Sequence, residues 1–266
     1  MLVLRVLLAL AAFGLLPVLV VLGVPFPRVR RTLTRIGART LLFAIGIDLT
    51  VLDARSERER SRTAGGALHV AGHISWTDVV VLTAVQPSTF VARADLVDWP
   101  VLGRLARAMK VLPIDRARLR ELPGVVEQVA DRVRAGGSVV AFPEATTWCG
   151  RAYGSLRPAL MQAAIDSETW VQPIRLRYLD RTGEQTAATC FVGDETIGAS
   201  IGRIFRLRGM RAEVEFTAPE APGSDRCDLA RRCEVAIRRD HVHDHALHEV
   251  MAEDRRRPVP PTVSAA

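Results

Sequence analysis

The chain is predicted to fold as an α/β domain: a mostly parallel or mixed sheet of about seven strands flanked by helices, with an N-terminal membrane-anchoring helical segment ahead of it. Two observations carry this. Between residues 66 and 217, short apolar runs alternate with longer stretches of helical periodicity, as when helices cover a largely parallel sheet. Ahead of them, Val6 to Pro27 contains no charged residue. As a helix its core over 6–24 would be roughly 28 Å long, close to the ~30 Å hydrocarbon thickness of a bilayer.

Residues 1–27 are therefore expected as a membrane helix. Pro17 is compatible with one. Arg5 is the only basic residue ahead of the apolar core and no clear small-residue cleavage site follows, so an anchor is favoured over a cleaved signal peptide. Arg28, Arg30, Arg31, Arg35 and Arg39 come next, and this positive-inside bias puts the bulk of the chain on the cytoplasmic face of the inner or plasma membrane. Residues 28–65 read as a basic helix lying on anionic lipid, reaching to about 51, followed by an exposed charged connection over 55–62.

The globular domain is expected over 66–219. Its strands are placed at 67–71, 89–92, 111–114, 138–142, 171–178, 188–192 and 212–216. Its helices are placed at 76–85, 99–109, 119–135, 155–165 and 200–207. Residues 220–266 read as a basic surface helix over 225–240 and a proline-bearing disordered tail from Arg255.

Composition narrows the partners. A chain of 266 residues buries a sizeable core without staples. Its four cysteines are widely spaced and read as reduced thiols. The net charge of +7 favours anionic partners such as a membrane surface or a phosphorylated substrate. All but one of the 36 basic residues are arginine, which suits bidentate phosphate binding. Aromatics make up only 5% and no helix-turn-helix, zinc-finger or aromatic-basic motif occurs, so no nucleic acid partner is expected. His241 and His245 stand one helical turn apart, yet the tract reads as a polar helix end, and no metal is expected.

The chemistry centres on Gly72-His73-Ile74-Ser75-Trp76-Thr77-Asp78. A histidine ending a strand and a carboxylate in the next helix's first turn can form a base and its orienter. Ser75-x-x-Asp78 also spells a capping box, so Asp78 has a purely structural alternative. In sheets of this kind ligands gather beyond the strands' carboxyl ends. His73, Asp115-Arg116 and Glu144 all sit just past predicted strand ends.

Four blocks, taken together, resemble the glycerolipid acyltransferase family, which includes lysophosphatidate and glycerol-3-phosphate acyltransferases. His73 to Asp78 matches its His-x4-Asp block, and Lys110-Val111-Leu112-Pro113-Ile114-Asp115-Arg116 resembles its second. Phe142-Pro143-Glu144-Ala145-Thr146 is similar to Phe-Pro-Glu-Gly-Thr, and Val171-Gln172-Pro173-Ile174 to the fourth. The resemblance implies direct acyl transfer from acyl-CoA or acyl-carrier protein to the free hydroxyl of a lysophospholipid, foremost lysophosphatidate, with a lyso-ornithine lipid or a glycolipid as the alternative acceptor, and without a cofactor. His73 would be the base and Asp78 its orienter. Arg116, Glu144 and Thr146 would serve the acceptor and its phosphate, with Ser75, Asp115 and Arg151 as further candidates. Membrane lipids are then the expected partners.

The chain departs from that pattern at Gly72, where asparagine is common, and at Ala145, where glycine is usual. Thr147-Trp148 stands where an arginine or asparagine-type residue is common, which leaves Arg151 or Arg157 to supply charge. Two other classes are weighed. Gly198-Ala199-Ser200-Ile201-Gly202, with Asp225 or Asp240 and His241, has the order of a serine esterase, but not its strand-to-turn setting. A basic membrane-surface binding module is allowed by charge alone.

Overall fold

The computed structural model describes residues 26–95, 103, 110–115, 118–239 and 243–255. Nearly all of the expected membrane helix, most of the expected helix over 99–109, Arg116, Asp240, His241 and the tail beyond Arg255 lie outside them. Among the described residues, no helix is long and apolar enough to cross a membrane.

The chain enters as helix α1 (Pro27–Ile45), ended by Gly46 in the left-handed conformation (φ 77°). Strand β1 (Ile47–Asp53) follows, then helix α2 (Glu57–Ala64) and β2 (Ala67–Ala71). Helix α3 (Thr77–Val85) leads to β3 (Thr89–Arg93) and β4 (Leu112–Ile114). A 3-10 turn and helix α4 (Leu122–Arg134) precede β5 (Ser138–Ala141), and another such turn and α5 (Met161–Asp166) precede β6 (Val171–Leu179). Helix α6 (Ile197–Arg206), β7 (Met210–Phe216), α7 (Arg226–Arg238) and α8 (His245–Asp254) complete the order.

The seven strands form one sheet in the order β1-β7-β6-β2-β5-β3-β4. Only β6 and β7 pair antiparallel, and every other neighbouring pair is parallel. β2 lies at the centre and is buried along its whole length, as a strand covered on both faces requires. Its alternation divides the core. Leu68 and Val70 face α4, α5 and α7, whereas Ala71 joins the layer of α1, α3 and α6.

Two local expectations change. The apolar run 41–47 belongs to the end of α1 and the start of an inner strand, because Leu41, Leu42, Ile45 and Ile47 are all buried. The sheet thus begins at residue 47 rather than 66. The charged stretch 55–62 is not an open connection but mostly helix α2, with a full capping box between Ser56 and Glu59. Behind it Arg55 donates to the buried Gln172 side chain at 2.6 Å.

The expected strand over 188–192 is absent, since its backbone is bonded elsewhere. Phe191 N–H donates to Ile74 O at 2.9 Å, and Arg203 binds the carbonyls of Ala188 and Cys190. The sheet position left open is taken by β1, paired along β7. The expected helix over 155–165 is cut to α5, preceded by a turn beginning at Pro158. Helix α7 is only partly a surface helix: Leu229, Ala230, Cys233 and Ile237 are buried.

β2 also carries a buried histidine outside the site, His69, beside Val140 and Gln172. Burial holds its imidazole well below the usual value, to about 4, with the Arg55 charge adding to the shift. Such a group binds its proton more readily in the unfolded chain. Stability is therefore kept above about pH 6.5 and lost as pH falls towards 4. Replacing His69 with Gln is expected to remove about 2–3 kcal/mol of that acid-side loss, read as a flatter denaturant midpoint between pH 6.5 and 4. Parallel profiles for both proteins would exclude it.

Candidate active site

Because β2, β3, β4 and β5 run parallel, the segments leaving their carboxyl ends emerge along one edge of the sheet. From adjacent β2 and β5 come the loops bearing His73 and Glu144. Asp115 leaves β4, three strands from β2, or about 14 Å at ~4.8 Å per strand. Its carboxylate is 3.4 Å from Arg118.

His73 and Asp78 meet. Nδ1 of His73 is 2.8 Å from Asp78 Oδ2, and the same oxygen accepts the N–H groups of Ile74 (2.7 Å) and Ser75 (2.9 Å). The other oxygen accepts the hydroxyl of Tyr178 at 2.8 Å. The Asp78 side chain is fully buried, whereas that of His73 keeps 20% of its surface. With its Nδ1 committed to Asp78, the imidazole has Nε2 left for chemistry. Phe142, leaving β5, stacks on the ring at 4.2 Å between centroids and fixes its plane.

The expected capping box does not close, since α3 begins after Trp76 with no side-chain cap and the Asp78 N–H bonds the Ser75 carbonyl. Asp78 instead gathers the amides of the loop ahead of α3 and holds the histidine. Ser75 is buried and its Oγ receives the Thr77 amide at 3.4 Å, which makes it structural rather than a reacting group. Tyr178 escaped sequence reasoning. It lies on β6, a hundred residues from Asp78, and a tyrosine in an apolar strand gives no local signal. Burial raises its hydroxyl well above the usual range, followed by the charge of Asp78, so it remains a donor.

Glu144 supports the histidine from the other side. Its Oε2 accepts the His73 N–H at 2.7 Å, and its side chain is 1% exposed. Burial pushes its carboxyl up to about 8, against the pull of the His73 amide and Arg238. Thr146 is exposed on the same loop, and the Thr147 hydroxyl binds Phe191 O. Arg151 turns to the carboxyl-terminal segment, 3.9 Å from Asp244, and Arg157 is exposed. Gly72, His73, Glu144, Trp148, Tyr153 and Arg238 line a narrow cleft behind these groups.

Among the described residues, the serine-esterase groups are engaged elsewhere. Ser200 is fully buried within α6, accepting the Trp76 indole N–H at 3.2 Å. Asp225 is occupied as the cap of α7. Among the described residues, no group of three or more His, Cys, Asp and Glu is placed to hold a metal ion.

Ala145 has φ 62°, a left-handed backbone in which a Cβ is strained. The glycine usual in the resembled pattern suits that conformation. Ala145→Gly is expected to stabilise the fold by about 1 kcal/mol, checked by thermal unfolding. An unchanged or lower midpoint would show that the loop carries no such strain.

Comparison with known proteins places the chain in a family. A family model described as Acyltransferase matches residues 54–177. The 1-acyl-sn-glycerol-3-phosphate acyltransferase of Neisseria meningitidis serogroup B is 32% identical over 218 residues, 81% of this chain and 82% of that one. The lyso-ornithine lipid O-acyltransferase of Pseudomonas aeruginosa is 34% identical over 178 residues, 64% of this chain and 66% of its own. The crystal structure of the 1-acyl-sn-glycerophosphate acyltransferase from Thermotoga maritima has the same fold, with a TM-score of 0.53 and 17% identity over 94% of this chain and 97% of that one. With a relative above 30% identity matched over most of its length, and with its own His-x4-Asp pair assembled at the sheet edge, this chain belongs to the glycerolipid acyltransferase family.

Proposed function

We propose that the protein moves a fatty acyl group from acyl-CoA or acyl-carrier protein to the free hydroxyl of a lysophospholipid, foremost lysophosphatidate, which it converts to phosphatidate. The observation that carries this is the His73–Asp78 pair, with its imidazole open to solvent and its carboxylate sealed.

Nε2 of His73 takes the acceptor's hydroxyl proton as its oxygen attacks the thioester carbonyl. The tetrahedral intermediate collapses, expels the thiolate and leaves the new ester. The thiolate then recovers the proton from the imidazolium. Asp78 holds the tautomer that leaves Nε2 free and stabilises the positive ring. The acceptor alcohol fills the role of a hydrolase serine, so no protein nucleophile is needed.

The lipid setting is supported by α1. Phe26, Val29, Ile36 and Phe43 are all exposed and fall on one face at helical spacing. Arg28, Arg31, Arg35 and Arg39 form the adjoining stripe, which suits an anionic headgroup layer. Arg35 and Arg39 also bind the Ala84 carbonyl at 3.3 and 3.2 Å, tying this helix to the end of α3. The apolar stretch before it acts as the anchor, with the catalytic part on the cytoplasmic face. Acylation of a lyso-ornithine lipid is the second reading, favoured by the identity to the Pseudomonas relative.

The deciding assay offers the membrane-bound protein labelled acyl-CoA with a panel of lysolipids. Labelled phosphatidate is expected as the main product, and an unlabelled lipid pool would defeat the proposal. His73→Ala is expected to lower turnover by about 10²–10⁴ with an unchanged circular dichroism spectrum. Near-normal rates in that variant would remove the base. Arg116→Ala is expected to raise the acceptor KM by about tenfold or more, through loss of a charge-assisted fork on phosphate. A raised acyl-donor KM instead would move Arg116 to the thioester side.

A further inference from the structure

Arg238, the last residue of α7, connects the carboxyl-terminal part of the chain to the catalytic histidine. Its side chain runs inward until it is 17% exposed. Nη2 lies 3.4 Å from Glu144 Oε1 and also donates to Gly154 O. Nη1 donates to Glu234 at 2.5 Å, and the Tyr153 ring lies against the guanidinium, 5.1 Å from its centroid. Among the described residues it is the one cation in ion-pair contact with Glu144.

We propose that Arg238 is a positioning residue for acyl transfer, orienting the Glu144 side chain through Oε1 so that Oε2 keeps the His73 amide in place. The activity arm of the argument rests on the acyl-transfer reading above. The loop itself provides no such charge, because Arg151 points to Asp244 and Arg157 is exposed. A residue more than ninety positions away supplies it.

The surroundings of Glu144 show why a counter-charge matters. From α7 come Arg238 and Glu234, from α3 Asp78, and from the β2–α3 loop the His73 amide. Arg175 and Arg177 line the same cleft from β6, with Glu215 and Glu213 as their partners. Burial, Asp78 and Glu234 all favour the protonated acid, while the His73 amide and Arg238 oppose them. Without the guanidinium, Glu144 takes up its proton at higher pH. The His73 amide then loses a charged acceptor, and the imidazolium formed during the reaction loses a nearby negative charge.

The test compares wild type, Arg238→Met, Arg238→Lys, Glu144→Gln and the Arg238→Met/Glu144→Gln double variant as full chains. Two readouts are followed from pH 6 to 10: kcat/KM for acyl-CoA with lysophosphatidate, and the His73 amide signal of 15N-histidine-labelled protein without substrate. Arg238→Met is expected to move the acid limb of the rate profile, and the His73 amide titration with it, upward by about 1–3 pH units. At pH 7 this is a loss of about tenfold or more, recovered at high pH. Arg238→Lys should restore most of it, and in the Glu144→Gln background the Arg238 change should add little. A uniform loss at every pH with an unmoved limb would make Arg238 merely structural and overturn the proposal. So would an amide titration identical in wild type and Arg238→Met. A wild type inactive on every acceptor would defeat the acyl-transfer reading alone, and the amide titration would still decide the role of Arg238.

Discussion

One buried carboxylate organises this molecule. Asp78 has no contact with solvent, and an unpartnered charge in such a place costs several kcal/mol. It is tolerated because four donors converge on it: an imidazole, two loop amides and a tyrosine hydroxyl. Hydrogen bonds to a charged group contribute about 1.5–3 kcal/mol each, so together they offset the desolvation. Three separate constraints bring these donors together. The amides require the tight passage from β2 into α3, the imidazole requires His73 at the strand's end, and the hydroxyl requires β6 beside β2.

That arrangement makes the geometry of the His73–Asp78 pair and the stability of the fold depend on the same contacts. The loop cannot open without exposing Asp78 to loss of its amides. The histidine cannot turn without losing its Phe142 stack and its Asp78 bond. The parallel run of β2 and β5 then places a second buried carboxylate, Glu144, against the backbone of the same histidine. Two acidic groups thus hold one imidazole, through its ring and through its amide. Both are withdrawn from water, whereas the ring they support is not.

The basic helix α1 and the His73–Asp78 site are also mechanically joined. Helix α1 packs on α3 and its arginines bind the carbonyl at the carboxyl end of that helix, whose amino end carries Asp78. At the far end of the sheet order, β1 closes the edge of β7 and continues directly from α1. A helix read from sequence as a surface appendage is therefore built into the core through Leu41, Leu42 and Ile45.

The sequence by itself determined whatever depends on near neighbours. The α/β class followed from alternating periodicities, and β2, α3 and β3 appeared within about a residue of their places. The His73–Asp78 pair was legible because five residues across a strand-to-helix turn leave few ways to arrange them. Glu144 could be placed past the end of β5 for the same reason. Only the tertiary structure decided which distant groups complete the site. Tyr178 and Arg238 reach Asp78 and Glu144 through sheet order and helix docking, and neither is marked by spacing. It likewise decided that 47–53 rather than 188–192 forms the seventh strand. Both segments have strand-like composition, and the choice rests on which can pair along β7 while the other's backbone is bonded by Ile74 and Arg203. Hydrogen-bond satisfaction over long separations is a property of the assembled sheet, and no local pattern encodes it.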